Sequence, residues 1–95
     1  MTDDDNASID TQLATSALQA FSDEDYQSAV KYFVELLGRD GKRWECRLYL
    51  AMAYCKLGKL SQASAEFDTI AQWCPNPELK DKAKLALRGL SKRPV

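Results

Sequence analysis

The chain has 95 residues, 45% of them apolar and 28% charged: too apolar for a disordered chain, and long enough for one modest core but not for two. Its 13 basic and 14 acidic residues leave a net charge of −1, and it has no histidine, which excludes a strongly basic nucleic-acid binder and any metal or nucleophile–base site that needs an imidazole. No apolar run approaches the ~18 residues that cross a bilayer, and Met1-Thr2-Asp3-Asp4-Asp5-Asn6 is acidic where a signal peptide is basic and then apolar, so the expectation is a cytoplasmic protein with no membrane contact.

Residues 1–9 read as a disordered acidic tail. Beyond them Leu13, Ala17, Ala20 and Phe21 recur at three- and four-residue steps, the spacing of one buried helical face. Ser22-Asp23-Glu24-Asp25 supplies N-cap oxygens for a second helix whose apolar face is Ala29, Val30, Phe33, Leu36 and Leu37, and Gly38 and Gly41 break the chain after it. Helices over 43–57 and 60–73 repeat the arrangement, with Gly58 at the tight turn between them. A fifth helix starts at Asn76-Pro77-Glu78, where Asn caps, Pro suits the first turn and Glu meets the positive helix end. Its residues Leu79, Ala83, Ala86, Leu87 and Leu90 share one face, and Lys80, Lys84 and Arg88 lie opposite, as a terminal helix covered on one side requires. Lys92-Arg93-Pro94 points to a frayed basic tail over 92–95.

The chain also matches itself when displaced by thirty-four positions, the separation of Ala17 from Ala51. Ala29 then falls on Ala63, Phe33 on Phe67, Tyr26 on Leu60, and Leu36-Leu37 on Ile70-Ala71. In the second copy Arg47-x2-Leu50-Ala51-x2-Tyr54 leads to Ala63-x3-Phe67 and then Pro75. This order resembles the tetratricopeptide repeat, with Arg for the usual Trp and Ala for the usual Gly. The first copy keeps Ala29-x3-Phe33 but holds Glu24 at the turn and Gly41 in place of Pro. The resemblance covers residues 10–77, about two thirds of the chain. It implies an all-α, right-handed stack of antiparallel helix hairpins with five helices. One domain over 10–91 then consists of repeats 10–43 and 44–77 and a capping helix over 77–91.

The resemblance further implies a protein-binding module that is not an enzyme. In the family, the first helix of each repeat lines a concave surface for partner peptides. By register the lining is Thr11, Ala14, Thr15, Leu18, Phe21 and Ser22, then Glu45, Leu48, Tyr49, Met52, Cys55 and Lys56. Leu18, Phe21, Leu48, Tyr49, Met52 and Cys55 make the strip largely apolar and are the expected partner-binding residues. The places where chaperone-binding members put Lys, Asn and Arg to grip a C-terminal carboxylate hold Ala14, Leu18, Tyr49, Glu45, Leu79 and Ala83, so an apolar or amphipathic segment is the expected ligand. The competing arrangement packs Leu18, Tyr49 and Met52 beneath the capping helix as core.

Chemistry finds no foothold in the residues. Gly38, Gly41, Gly58 and Gly89 are isolated and form no phosphate loop. Asp23-Glu24-Asp25 reads as a solvated cap, and Cys46, Cys55 and Cys74 as free thiols without CxxC spacing. No cofactor and no metal are expected. The basic stripe of the last helix lacks interleaved aromatic residues, so no nucleic-acid partner is expected either. Charge is nonetheless polarised. Residues 1–25 carry seven acidic and no basic groups, 26–77 carry seven basic and five acidic, and 78–95 carry six basic and two acidic. That polarity opens an alternative function, a homo-oligomer assembled through the acidic first repeat and the basic capping helix.

Overall fold

The computed structural model describes residues 2–91. Five helices follow one another: α1 Thr2–Ser22, α2 Tyr26–Arg39, α3 Trp44–Lys56, α4 Leu60–Trp73 and α5 Pro77–Ser91. Among the described residues there is no strand. Each helix packs on the next, and α3 also meets α5. The molecule measures 51 × 29 × 17 Å, so its thinnest dimension admits two helix layers and no third.

Small residues set these contacts. Ala17 and Ala29 are buried between the first two helices, and Ala51 and Ala63 between the third and fourth; with only a methyl group at each place the helix axes approach closely. Phe33 and Phe67 fill the space beside them, and Leu36 and Ile70 lie one turn further along, all four buried. Two apolar clusters result. One joins α1, α2 and α3 through Ala17, Ala20, Ala29, Phe33, Leu37 and Leu50. The other joins α3, α4 and α5 through Ala51, Phe67, Ile70, Cys74, Leu79 and Ala83. Tyr54 touches both, which makes α3 the shared wall.

The hairpin turns repeat as well. After α1, Glu24 adopts a left-handed φ of 62°, Asp25 N donates to Ala20 O at 2.8 Å, and Glu24 N donates to Phe21 O at 3.1 Å. At the equivalent place in the second hairpin Gly58 has a φ of 75°, Lys59 N donates to Tyr54 O at 2.9 Å, and Gly58 N donates to Cys55 O at 3.0 Å. Both are Schellman closures, in which the residue past the helix end turns left-handed so that orphan carbonyls find donors. The fifth helix opens as its sequence suggests: Asn76 Oδ1 accepts from Glu78 N at 2.9 Å and from Leu79 N at 3.4 Å.

The expected disordered tail over 1–9 overlaps α1, whose backbone runs from Thr2. No glycine or proline precedes Gly38 to interrupt it. The expected frayed tail over 92–95 lies outside the described residues.

Candidate functional site

The first helix of each hairpin and the capping helix share one side of the stack, and the apolar strip lies there. On α1, Leu18 and Phe21 are one turn apart on the same face. Leu18 is 42% exposed and Phe21 half-buried. On α3, Leu48, Tyr49 and Met52 form the corresponding patch, with Met52 37% exposed.

Tyr49 ties the two helices together. Its ring meets Phe21 edge-on at 5.2 Å and lies parallel to Phe33 at 6.1 Å, and Phe21 in turn meets Tyr26 edge-on at 5.4 Å. Edge-on and offset aromatic pairs contribute about 0.5–1.5 kcal/mol each beyond their buried area. The centre of the strip is therefore held rigid, while Leu18 and Met52 on either side remain accessible.

A groove of about 430 Å³ runs between α3 and the start of α5. Glu45, Leu48, Tyr49 and Met52 form one wall; Asn76, Glu78, Leu79 and Lys82 form the other. It continues into a second hollow of about 430 Å³ that shares Glu45, Asn76 and Leu79 and ends at Lys42, Arg43 and Trp44. The lining mixes apolar Leu48, Tyr49, Met52 and Leu79 with charges of both signs, Glu45 and Glu78 against Lys42, Arg43 and Lys82. Such a trough accepts the apolar side of an extended or helical segment and offers charges of either sign at its edges.

Of the residues expected at the site, Leu48, Tyr49 and Met52 line the groove directly, and Phe21 joins them through Tyr49. Leu18 stands one turn from Phe21 outside the groove. Cys55 packs against the α3–α4–α5 cluster. The alternative placement as core fails for Leu18 and Met52, which keep about two fifths of their surface. The opposite wall went largely unread in the sequence. A second application of the repeat shift carries Glu45 onto Leu79 and Leu48 onto Lys82, and that is the signal by which it could have been found.

Beside the groove, burial pushes the Cys46 thiol above its ordinary range, and Arg43 only partly offsets that. Burial, together with the nearby Glu66 carboxylate, raises the Tyr54 phenol in the same way. Both groups are held neutral, the opposite of what a nucleophile needs. Among the described residues no cluster of three metal-ligating side chains occurs, and no helix is long and apolar enough to cross a membrane.

In comparisons with known proteins, a family model described as tetratricopeptide repeat matches residues 20–86. No curated protein and no solved structure matches.

Proposed function

The chain belongs to the tetratricopeptide-repeat family, a non-enzymatic family whose repeats mediate protein–protein interaction, and from that premise we propose that it holds an apolar or amphipathic segment of a partner protein against its concave side. The observation that carries this reading is the exposure of Leu18 and Met52 on either side of a fixed aromatic centre, Phe21 and Tyr49. A small protein that leaves large apolar side chains open on one side gains by covering them. Rigid aromatic anchors lose little conformational entropy when they do so, and they commonly contribute about 2 kcal/mol or more to binding.

The test is a selection of displayed peptides on the parent protein, followed by affinity measurement on two variants. Tyr49→Ala is expected to weaken the selected peptides about thirtyfold, the equivalent of about 2 kcal/mol, and Lys84→Ala on the far face of α5 to change them little. Each variant must melt within a few degrees of the parent, so that lost binding does not report a damaged core. Selected peptides that bind folded Tyr49→Ala as tightly as the parent would sink the groove reading.

The charge polarity of the chain favours a second reading alongside the first: copies of the protein associate with one another, acidic head to basic cap.

A further inference from the structure

Trp73, the last residue of α4, is 71% exposed, more than any other large apolar side chain among the described residues. Its counterpart in the first repeat is Arg39, which reaches Asp10 of α1. The position that ties two helices in one repeat therefore stands open in the other. Within five residues on either side of Trp73 the charges are Asp68 and Glu78, both exposed and both acidic. An indole can bury about 150–250 Å², so an open tryptophan forgoes one of the largest apolar contributions that a single residue makes.

At the other end of α4 lies a hollow of about 570 Å³, lined by Leu60, Ser61 and Ser64 of α4 and by Lys84, Leu87 and Arg88 of α5. The same joint in the first repeat lies between α2 and α3, and there the counterparts of Leu60, Ser64, Lys84 and Arg88 are Tyr26, Val30, Leu50 and Tyr54. Leu50 is buried, and Tyr26, Val30 and Tyr54 are half-buried; Val30 and Tyr54 pack on one apolar cluster. The α4–α5 joint thus lacks the two phenol rings and the branched aliphatic chain of the α2–α3 joint, while Leu60 and Leu87 keep part of its lining apolar. It is open because its side chains are too small or too polar to fill it.

We infer that Trp73 of a second copy seats in the α4–α5 hollow, joining molecules end to end. This rests on the self-association reading, with Trp73 in place of the acidic head as the group that docks. The hollow is short of aromatic rings, and Trp73 is a ring without a seat. An apolar cavity of ~150 Å³ is enough for benzene, so an indole has room. Lys84 and Arg88 line the hollow with positive charge, and the acidic residues that flank Trp73 complement it. A molecule does not fill its own hollow. Trp73 lies ~20 Å along α4 from Leu60 at ~1.5 Å per residue, and it shares a side of the helix with Glu66, which bonds Arg47 of α3, whereas Ser64 faces α5. The contact is heterologous, leaving a free tryptophan and a free hollow on every dimer, so association proceeds to longer chains as concentration rises.

Sedimentation of the intact protein from about 10 µM to about 1 mM reads the assembly directly. The mass is expected to climb past the dimer, and to do so still at about 0.5 M salt, where the screening length is about 4 Å, because the docked group carries no charge. Trp73→Ser should weaken the apparent dissociation constant at least tenfold with an unchanged melting temperature. Ser64→Trp, which gives the hollow an indole from its own α4, should weaken it as much from the other side. Mixed together, the two variants should form one-to-one pairs and nothing longer, since one lacks the tryptophan and the other the open hollow. A parent that stays monomeric at about 1 mM overturns both the inference and the self-association reading. A parent that associates while Trp73→Ser associates equally well, or whose association vanishes at high salt, overturns this contact alone and leaves the acidic head as the docking group. If Trp73→Ser abolishes association and folded Ser64→Trp associates like the parent, the indole docks elsewhere and the inference fails.

Discussion

The two turns that close the hairpins have the same backbone geometry and opposite weaknesses. At the first, the left-handed position is filled by Glu24, whose Cβ makes that conformation unfavourable by about 1–2 kcal/mol; the next residue, Asp25, is a good cap, its carboxylate accepting from Ser28 N at 3.3 Å. At the second, the left-handed position is Gly58, which adopts it freely, but the next residue is Lys59, which caps nothing with its side chain. Each hairpin is well made on one side of its turn and compromised on the other. Neither needs a perfect turn, because the alanine contacts and buried phenylalanines on both sides hold the helices together, and local propensity is a small part of that energy.

The repeats differ also in how their paired helices are tied. In the second, Arg47 stands where the family has Trp; its Nη1 donates to Glu66 at 2.7 Å, its Nη2 to Gly41 O at 3.3 Å, and its guanidinium lies 5.7 Å from the Trp44 ring. The counterparts of Arg47 and Glu66 in the first repeat are Leu13 and Tyr32, an apolar pair. There the charged tie sits at the end of the helices instead, where Asp10 receives Arg39 at 2.5 Å and Arg43 at 3.8 Å.

The largest way to break this comparison is at the mostly buried ion pair. Glu66→Ala leaves Arg47 with the Gly41 carbonyl and the Trp44 ring but no carboxylate, while its Nε is already buried without a partner, and a loss of about 1–3 kcal/mol in urea unfolding is expected. Giving the second repeat the first repeat's pair, Arg47→Leu with Glu66→Tyr, should be neutral or stabilising, since an apolar pair of suitable volume avoids the desolvation of two charges. If the double variant is as unstable as Glu66→Ala, the pair is worth more than its apolar counterpart.

The turns come next. Gly58→Ala should destabilise by about 1–2 kcal/mol. No atom lies within 4 Å of the added Cβ, so the whole effect is backbone conformation. Glu24→Gly should do the reverse, raising stability by up to about 1 kcal/mol. Equal effects of opposite sign would establish the two turns as one motif; a neutral Glu24→Gly would break the equivalence.

Smaller still are the caps. Asp25→Ala is expected to lose about 1 kcal/mol and Lys59→Asp to gain about 0.5–1 kcal/mol, read as shifts in thermal midpoint.

The last difference is in pH. Cys46 and Tyr54 belong to the second repeat, and their counterparts in the first, Gln12 and Ala20, do not titrate. Both groups have folded-state values raised by burial, so the unfolded chain releases their protons first. The stability they contribute is complete below the ordinary thiol range and is lost as pH climbs past about 8.5 and then about 10. Cys46→Ala should flatten the first part of that decline and Tyr54→Phe the second.

Much of this protein is written locally. Three- and four-residue spacing of Ala17, Ala20, Phe33 and Leu36 fixes which face of each helix is buried, and the recurrence of Ala17 and Phe33 as Ala51 and Phe67 fixes that the hairpin occurs twice, because helical periodicity is a property of neighbours along the chain. Asn76 and Gly58 announce a cap and a turn for the same reason. What the chain cannot express locally, the packing decided: that Arg47 finds Glu66 on another helix, that Tyr49 bridges Phe21 and Phe33, that α5 supplies the second wall of the groove, and that Leu18 and Met52 stay open while Cys55 is drawn against the core. Those outcomes depend on where one helix axis lies relative to another, which is set by the sum of many small contacts across the stack and by no single stretch of sequence.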